Sequence, residues 1–189
     1  MSRRGFTLVE LLAGLALAAL LTPVAVGVVA SVLRMLGGLA IRAEADDVAH
    51  LAVEAFAFDL RRAGFDPRGI AVDPLAEARP DRLTLQADLD GDGVVDAGSE
   101  ETVAYACATA AQKLSRVVGT QSLPLASDVV TCTLGYLDAG AAPIPTPATG
   151  LDAAARRRVR AVTLDLAIVP ASLHAPTTRR TTVALRVLP

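Results

Sequence analysis

A chain of 189 residues is long enough for one domain with a modest core plus an extension. A net charge of −2 argues against a general nucleic-acid binder. With 3% aromatic residues and no Trp, there is little from which to build a base-stacking or carbohydrate-binding surface. The positive mean hydropathy of +0.46 comes partly from one region near the N-terminus.

Between Arg4 and Arg34 the only polar side chains are Thr7, Glu10, Thr22 and Ser31. This run of about 29 residues would extend roughly 43 Å as a helix. A bilayer core needs only about 20 residues. The run predicts a membrane-spanning helix, with Arg3 and Arg4 holding the N-terminus in the cytoplasm and the remainder on the far side. A secretory signal peptide is the alternative, and AVGVVAS at 25–31 imitates its cleavage site. Against it, the run is too long and opens on an acid. Glu10 poses the physical problem, because a lone carboxylate in hydrocarbon needs a partner or an exit. It either gains a cation or sits at the headgroup level as a first-turn helix acid. Gly14, Gly27, Gly37 and Gly38 allow close helix approach, and Pro23 is expected to kink or loosen the helix.

The string MSRRG followed by FTLVELLAGLAL resembles the N-terminus of type IV prepilins and of the pseudopilins of type II secretion. The resemblance rests on a short basic leader, then Gly5, Phe6, Thr7, Leu8, Val9 and Glu10, then an apolar helix. It implies that a prepilin peptidase cuts between Gly5 and Phe6 and methylates the new Phe6 amine. Gly5, lacking a Cβ, lets an extended backbone enter a protease cleft. Cleavage creates an ammonium four residues before Glu10, on the same helix face. In a filament the ammonium could come instead from a neighbouring subunit. Either way two charges that are costly in lipid become one pair, and Glu10 acquires a role in assembly. The implied organisation is a leader at 1–5, a transmembrane and assembly helix at 6–33, an amphipathic helix at 34–64 and a β-rich periplasmic head at 65–189.

In the second helical segment Ala49, Val53, Phe56, Leu60 and Ala63 recur at steps of four and three, and Gly64 and Pro67 signal the stop. The words DLRRAGFDP (Asp59 to Pro67) resemble the end of this helix in PilW-like minor pilins and J-type pseudopilins. Arg61 and Arg62 there favour the helix C-terminus or serve as filament contacts. Beyond residue 81 the chain reads as strands. Leu83, Leu85 and Ala87 share one face of DRLTLQADL, and Val103, Tyr105 and Cys107 one face of ETVAYACA. KLSRVVG, DVVTCTLGYLD, RVRAVTLDLAIV and RTTVALRVL follow. With no βα alternation, the expected class is α+β, a long helix packed on an antiparallel sheet. GAAPIPTPATG, 140–150, is a loop by composition.

Asp88, Asp90, Asp92, Gly93 and Asp96 fall at calcium-loop positions 1, 3, 5, 6 and 9. The closing acid is missing, since Ser99 stands at position 12 and Glu100 and Glu101 come late. The two readings are a weak calcium site and an acidic hairpin turn. Cys107 and Cys132 are the only cysteines, either a disulfide of an exported domain or two buried thiols. His50 and His174 are isolated, and no catalytic motif or phosphate-binding loop occurs. RRRVR, 156–160, is a basic run expected to be a solvated strand entrance.

The resemblance implies a non-enzymatic filament subunit of the PilW-like minor pilin type, with the J-type pseudopilin of a type II secretion system as its near relative. Its implied partners are prepilin peptidase, other pilin or pseudopilin subunits and the inner membrane. The implied location is a single-pass inner-membrane protein that passes into a filament. A membrane-anchored periplasmic enzyme or binding protein is the alternative from another class.

Overall fold

The computed structural model describes residues 7–170 and 177–185. The chain divides into two units, Met1–Ile41 and Arg42–Pro189. Helix α1, Leu8–Arg62, begins in the first and ends in the second. Within the first unit its side chains are exposed almost all round, which suits a segment whose solvent is lipid. Its polar residues bond to its own backbone. Thr22 Oγ1 donates to the Ala18 carbonyl at 2.6 Å and Ser31 Oγ to that of Val28 at 2.8 Å, so neither hydroxyl is left bare. The helix continues through Pro23.

In the second unit α1 buries one stripe against the head. Ala45, Ala49, Ala52, Phe56, Leu60 and Ala63 are buried, and Val53 is half-buried. Alanines dominate because they let the helix lie close to the sheet, while Phe56 fills the space that remains. Its ring meets that of Tyr105 edge-on, centroids 5.1 Å apart. The helix stops at Gly64, whose φ of 73° is the left-handed C-terminal geometry glycine adopts at low cost. The Gly64 amide then donates to the Gln86 carbonyl at 2.8 Å and ties the helix end to the sheet.

The head holds two antiparallel sheets. β1 (Leu75–Ala78), β2 (Arg82–Gln86), β3 (Thr102–Ala108), β4 (Lys113–Val118) and β5 (Gln121–Ala126) form a five-stranded meander in sequence order. β6 (Val129–Leu137), β7 (Ala161–Ile168) and β8 (Thr177–Ala184) form a three-stranded sheet. Leu83, Leu85, Val103 and Tyr105 are buried on the inner face, as their alternation predicts, and pair across β2 and β3. β1 and β5 were not anticipated. β1 is four residues long, and β5 is an edge strand carrying Pro124 and an exposed Leu123.

One local expectation is corrected. Arg156, Arg157 and Arg158 do not open a strand but lie in a short helix α2 (Ala153–Arg158). The Asp152 carboxylate caps that helix by accepting from the Ala155 amide at 2.7 Å, and the three arginines occupy its last turn, where cations favour the dipole. The 140–150 segment is a loop, yet Ile144 is buried and its amide donates to the Tyr136 carbonyl at 2.8 Å. His174 lies outside the described residues.

Candidate functional site

Three polar constructions stand out, one at each end of α1 and one in the adjoining loop. At the N-terminal end, Thr7 and Glu10 make a reciprocal cap. The Glu10 amide donates to Thr7 Oγ1 at 3.3 Å, while Glu10 Oε2 accepts from the Thr7 amide and hydroxyl, each at 3.0 Å. This is the S/T-x-x-E box, in which two orphan helix donors are satisfied by side chains three residues apart. The spacing is plain in TLVE, within the string that carries the resemblance, although its capping geometry was not anticipated. Gly5 and Phe6 lie outside the described residues.

At the other end, Asp59 is 4% exposed. Its Oδ2 accepts from Tyr105 Oη at 2.7 Å and Arg116 Nε at 2.6 Å, and its Oδ1 from Arg62 at 2.6 Å and the second Arg116 nitrogen at 3.3 Å. Arg116 also holds Glu100. Burial pushes the Asp59 carboxyl up. The hydrogen bonds from Arg116 and Tyr105, with the charge of Arg116 and a bond from Arg62, outweigh it and hold the carboxyl below its ordinary value. Desolvation and the Asp59 charge push the Tyr105 hydroxyl far up, so it remains a donor. Sequence reasoning missed this network because Asp59 and Arg116 sit on different elements. The available signal was an acid inside the apolar stripe of α1.

The loop 88–101 joins β2 to β3 beside the helix end, where the Asp88 amide donates to the Phe65 carbonyl at 2.8 Å. Asp88 is fully buried, and its two oxygens accept from the Gly91 amide at 2.8 Å and the Gly93 amide at 3.1 Å. Glycine is required at both positions, with φ of 74° and 85°. Glu101 accepts from the Asp96 amide at 2.9 Å, the Leu89 amide at 2.7 Å and the Asp90 amide at 3.3 Å, the first bond contributing most to holding its carboxyl below the ordinary value.

Among the described residues the carboxylates that converge are Asp88, Asp90 and Glu101, with ligand atoms within 4.8 Å of one another. This group shares Asp88 and Asp90 with the expected metal set and adds Glu101. Asp92 turns to its own backbone, accepting from the Val94 amide at 2.7 Å, and both Asp92 and Asp96 lie outside the converging group. Glu101 takes the closing place because the loop is two residues longer than a calcium loop. Three hard oxygen donors suit a calcium ion in kind. They are half its minimum number, so carbonyls or water would complete the shell.

Cys107 on β3 and Cys132 on β6 are joined by a disulfide across 25 residues, linking the two sheets. Two further bonds run beside it, from the Cys107 amide to the Asp81 carbonyl and from the Leu134 amide to the Pro80 carbonyl, both 2.8 Å.

Residues 1–22 match the family model described as the prokaryotic N-terminal methylation motif. No curated protein matches the chain. The motif leads into a helix whose apolar stretch is unburied, apolar enough and long enough to cross a membrane. Together these observations support a type IV prepilin-like chain, a pilin or a pseudopilin.

Proposed function

We propose that the chain is a PilW-like minor pilin, a structural subunit that prepilin peptidase cuts between Gly5 and Phe6 and N-methylates at Phe6. The observation that carries this reading is the methylation motif over residues 1–22, running directly into an exposed apolar helix. The subunit waits in the inner membrane with its head on the periplasmic side. It then enters a helical filament through α1, where the Phe6 ammonium pairs with Glu10. The Thr7–Glu10 cap supports this role, because it holds the carboxylate at the first turn, next to the newly made terminus. No catalysis is assigned to the head.

Mass spectrometry of the mature protein is the direct test. Loss of residues 1–5 and a methylated Phe6 is the expected result. An intact Met1 on a working protein would refute processing and favour a noncleaved anchor. Glu10→Ala should insert normally yet enter filaments poorly. Deletion of the gene should reduce surface pili, whereas loss of protein secretion with normal pili would move the assignment to a J-type pseudopilin.

A further inference from the structure

Antiparallel neighbours such as β6 and β7 need only about two to five residues between them. Here residues 138–160 join them. Connections longer than about 15 residues are uncommon in compact domains, and ordered ones tend to carry function. This one is built, not slack. Ile144, Leu151 and Val159 are buried, and the Ile144 and Leu151 amides donate to the Tyr136 and Ala78 carbonyls, each at 2.8 Å. Asp138 accepts from the Gly140 and Ala142 amides at 2.9 and 3.0 Å, and Asp152 caps α2, so both acids of the segment are turned to its own backbone. Pro143, Pro145 and Pro147 stiffen the stretch between them.

What this platform presents is arginine. Arg157 and Arg158 are exposed, with no ion-pair partner among the described residues. Arg160 Nη1 donates to the Arg157 carbonyl at 2.7 Å and to the Val159 carbonyl at 2.9 Å, and among the described residues it too lacks a carboxylate. Arg156 donates to the Leu151 carbonyl at 3.1 Å and reaches Asp73 only at 3.9 Å. Elsewhere in the head Arg62, Arg79, Arg82, Arg116, Arg179 and Arg180 each face a carboxylate. The dipole of α2 favours cations in its last turn but does not call for three left unneutralised together.

The surroundings select the ligand. The large apolar residues of the segment all point inward, so its exposed side carries no apolar or aromatic anchor. A protein partner needs such an anchor, and a lipid surface needs an apolar chain to insert. Guanidinium forks on a fixed turn suit phosphate oxygens. With no ring on which an unpaired base could stack, a duplex fits better than a single strand. We infer that Arg157, Arg158 and Arg160 bind the phosphate backbone of a nucleic-acid duplex, without sequence preference. The net charge of −2 confines this to a local contact, and three phosphates place it at the weak end of non-specific binding. The inference draws only on the head and stands apart from the filament reading above.

The experiment titrates the full-length protein in neutral detergent into labelled DNA duplexes of two unrelated sequences, read by fluorescence anisotropy. Both should bind alike, and affinity should fall about 40-fold between about 50 and 200 mM salt, as about three released counterions require. Arg157→Gln with Arg158→Gln should weaken binding about tenfold at the lower salt and reduce the salt slope by about one per arginine, with the melting temperature unchanged. Arg157→Lys with Arg158→Lys should restore the slope. Arg61→Gln with Lys113→Gln, exposed cations elsewhere in the head, should leave binding as it was. No binding at the lower salt, normal binding by the Arg157 and Arg158 glutamine pair, or an equal loss in the control pair would overturn the inference. So would displacement of the duplex by poly-glutamate, or by phosphatidylglycerol added to the micelle, as effective charge for charge as unlabelled duplex, which would assign the turn to an acidic protein or to a lipid surface.

Discussion

Asp59→Asn should be the most damaging isosteric change in the head. The substitution keeps the shape but removes the charge that two arginines and a tyrosine face. Breaking a fully buried ion pair costs about 3–5 kcal/mol. Here Arg116 and Arg62 are partly exposed and retain Glu100, 3.5 Å from Arg62, so about 2–3 kcal/mol is the expected loss. For a head of this size that corresponds to a fall in Tm of about 5–10 °C. The head has two buried tyrosines, Tyr105 and Tyr136, so the near-ultraviolet dichroism of the full-length protein in detergent follows the melt. The effect should also depend on pH with a definite sign. The Asp59 carboxyl is depressed in the folded state. Its contribution is thus complete above the unfolded carboxylate pKa, about 3.9, and is lost as pH falls through the lower folded value. The gap between wild type and Asp59→Asn should therefore be constant from neutrality to about pH 5 and close below about pH 4. A variant within 0.5 kcal/mol of wild type at neutral pH, or a gap that widens in acid, would refute the account of Asp59 as an ionised, arginine-held anchor.

Gly150→Ala should destabilise the head by about 1–3 kcal/mol, because φ is 94° and a Cβ would lie 3.0 Å from the Ala78 carbonyl; chemical denaturation of the two proteins measures it. Reducing the Cys107–Cys132 disulfide, which closes a loop of 25 residues, should cost about 3 kcal/mol, seen as a lower denaturation midpoint in reductant. Glu101→Gln should speed hydrogen exchange at the Leu89, Asp90 and Asp96 amides while leaving β3 protected, since those three donors share its carboxylate.

Features carried by local pattern were legible before the fold. The apolar run, the motif ending in Glu10 and the alternation in β2 and β3 depend only on near neighbours in the chain, because helix and strand periods place such residues on one face. The acidic loop was legible as a turn, yet its closing acid was not, because loop length fixes which carboxylate returns. β1 and β5 were missed because each is short and weakly alternating, and pairing with β2 and β4 makes them strands. The arginines of α2 were misread because the cap at Asp152 outweighs a pattern that looks like the opening of a strand.

The linear chain by itself determined that there is a membrane-competent helix with a processing motif at its start, since burial in lipid and peptidase recognition both act on contiguous residues. Only the tertiary structure decided that Asp59, Tyr105, Arg116 and Glu100 form one polar anchor, that Glu101 and not Asp92 or Asp96 joins Asp88 and Asp90, and that Leu51 and Phe58 are left uncovered. Those outcomes depend on which distant segments meet, and hydrogen bonds and burial act through space rather than along the chain.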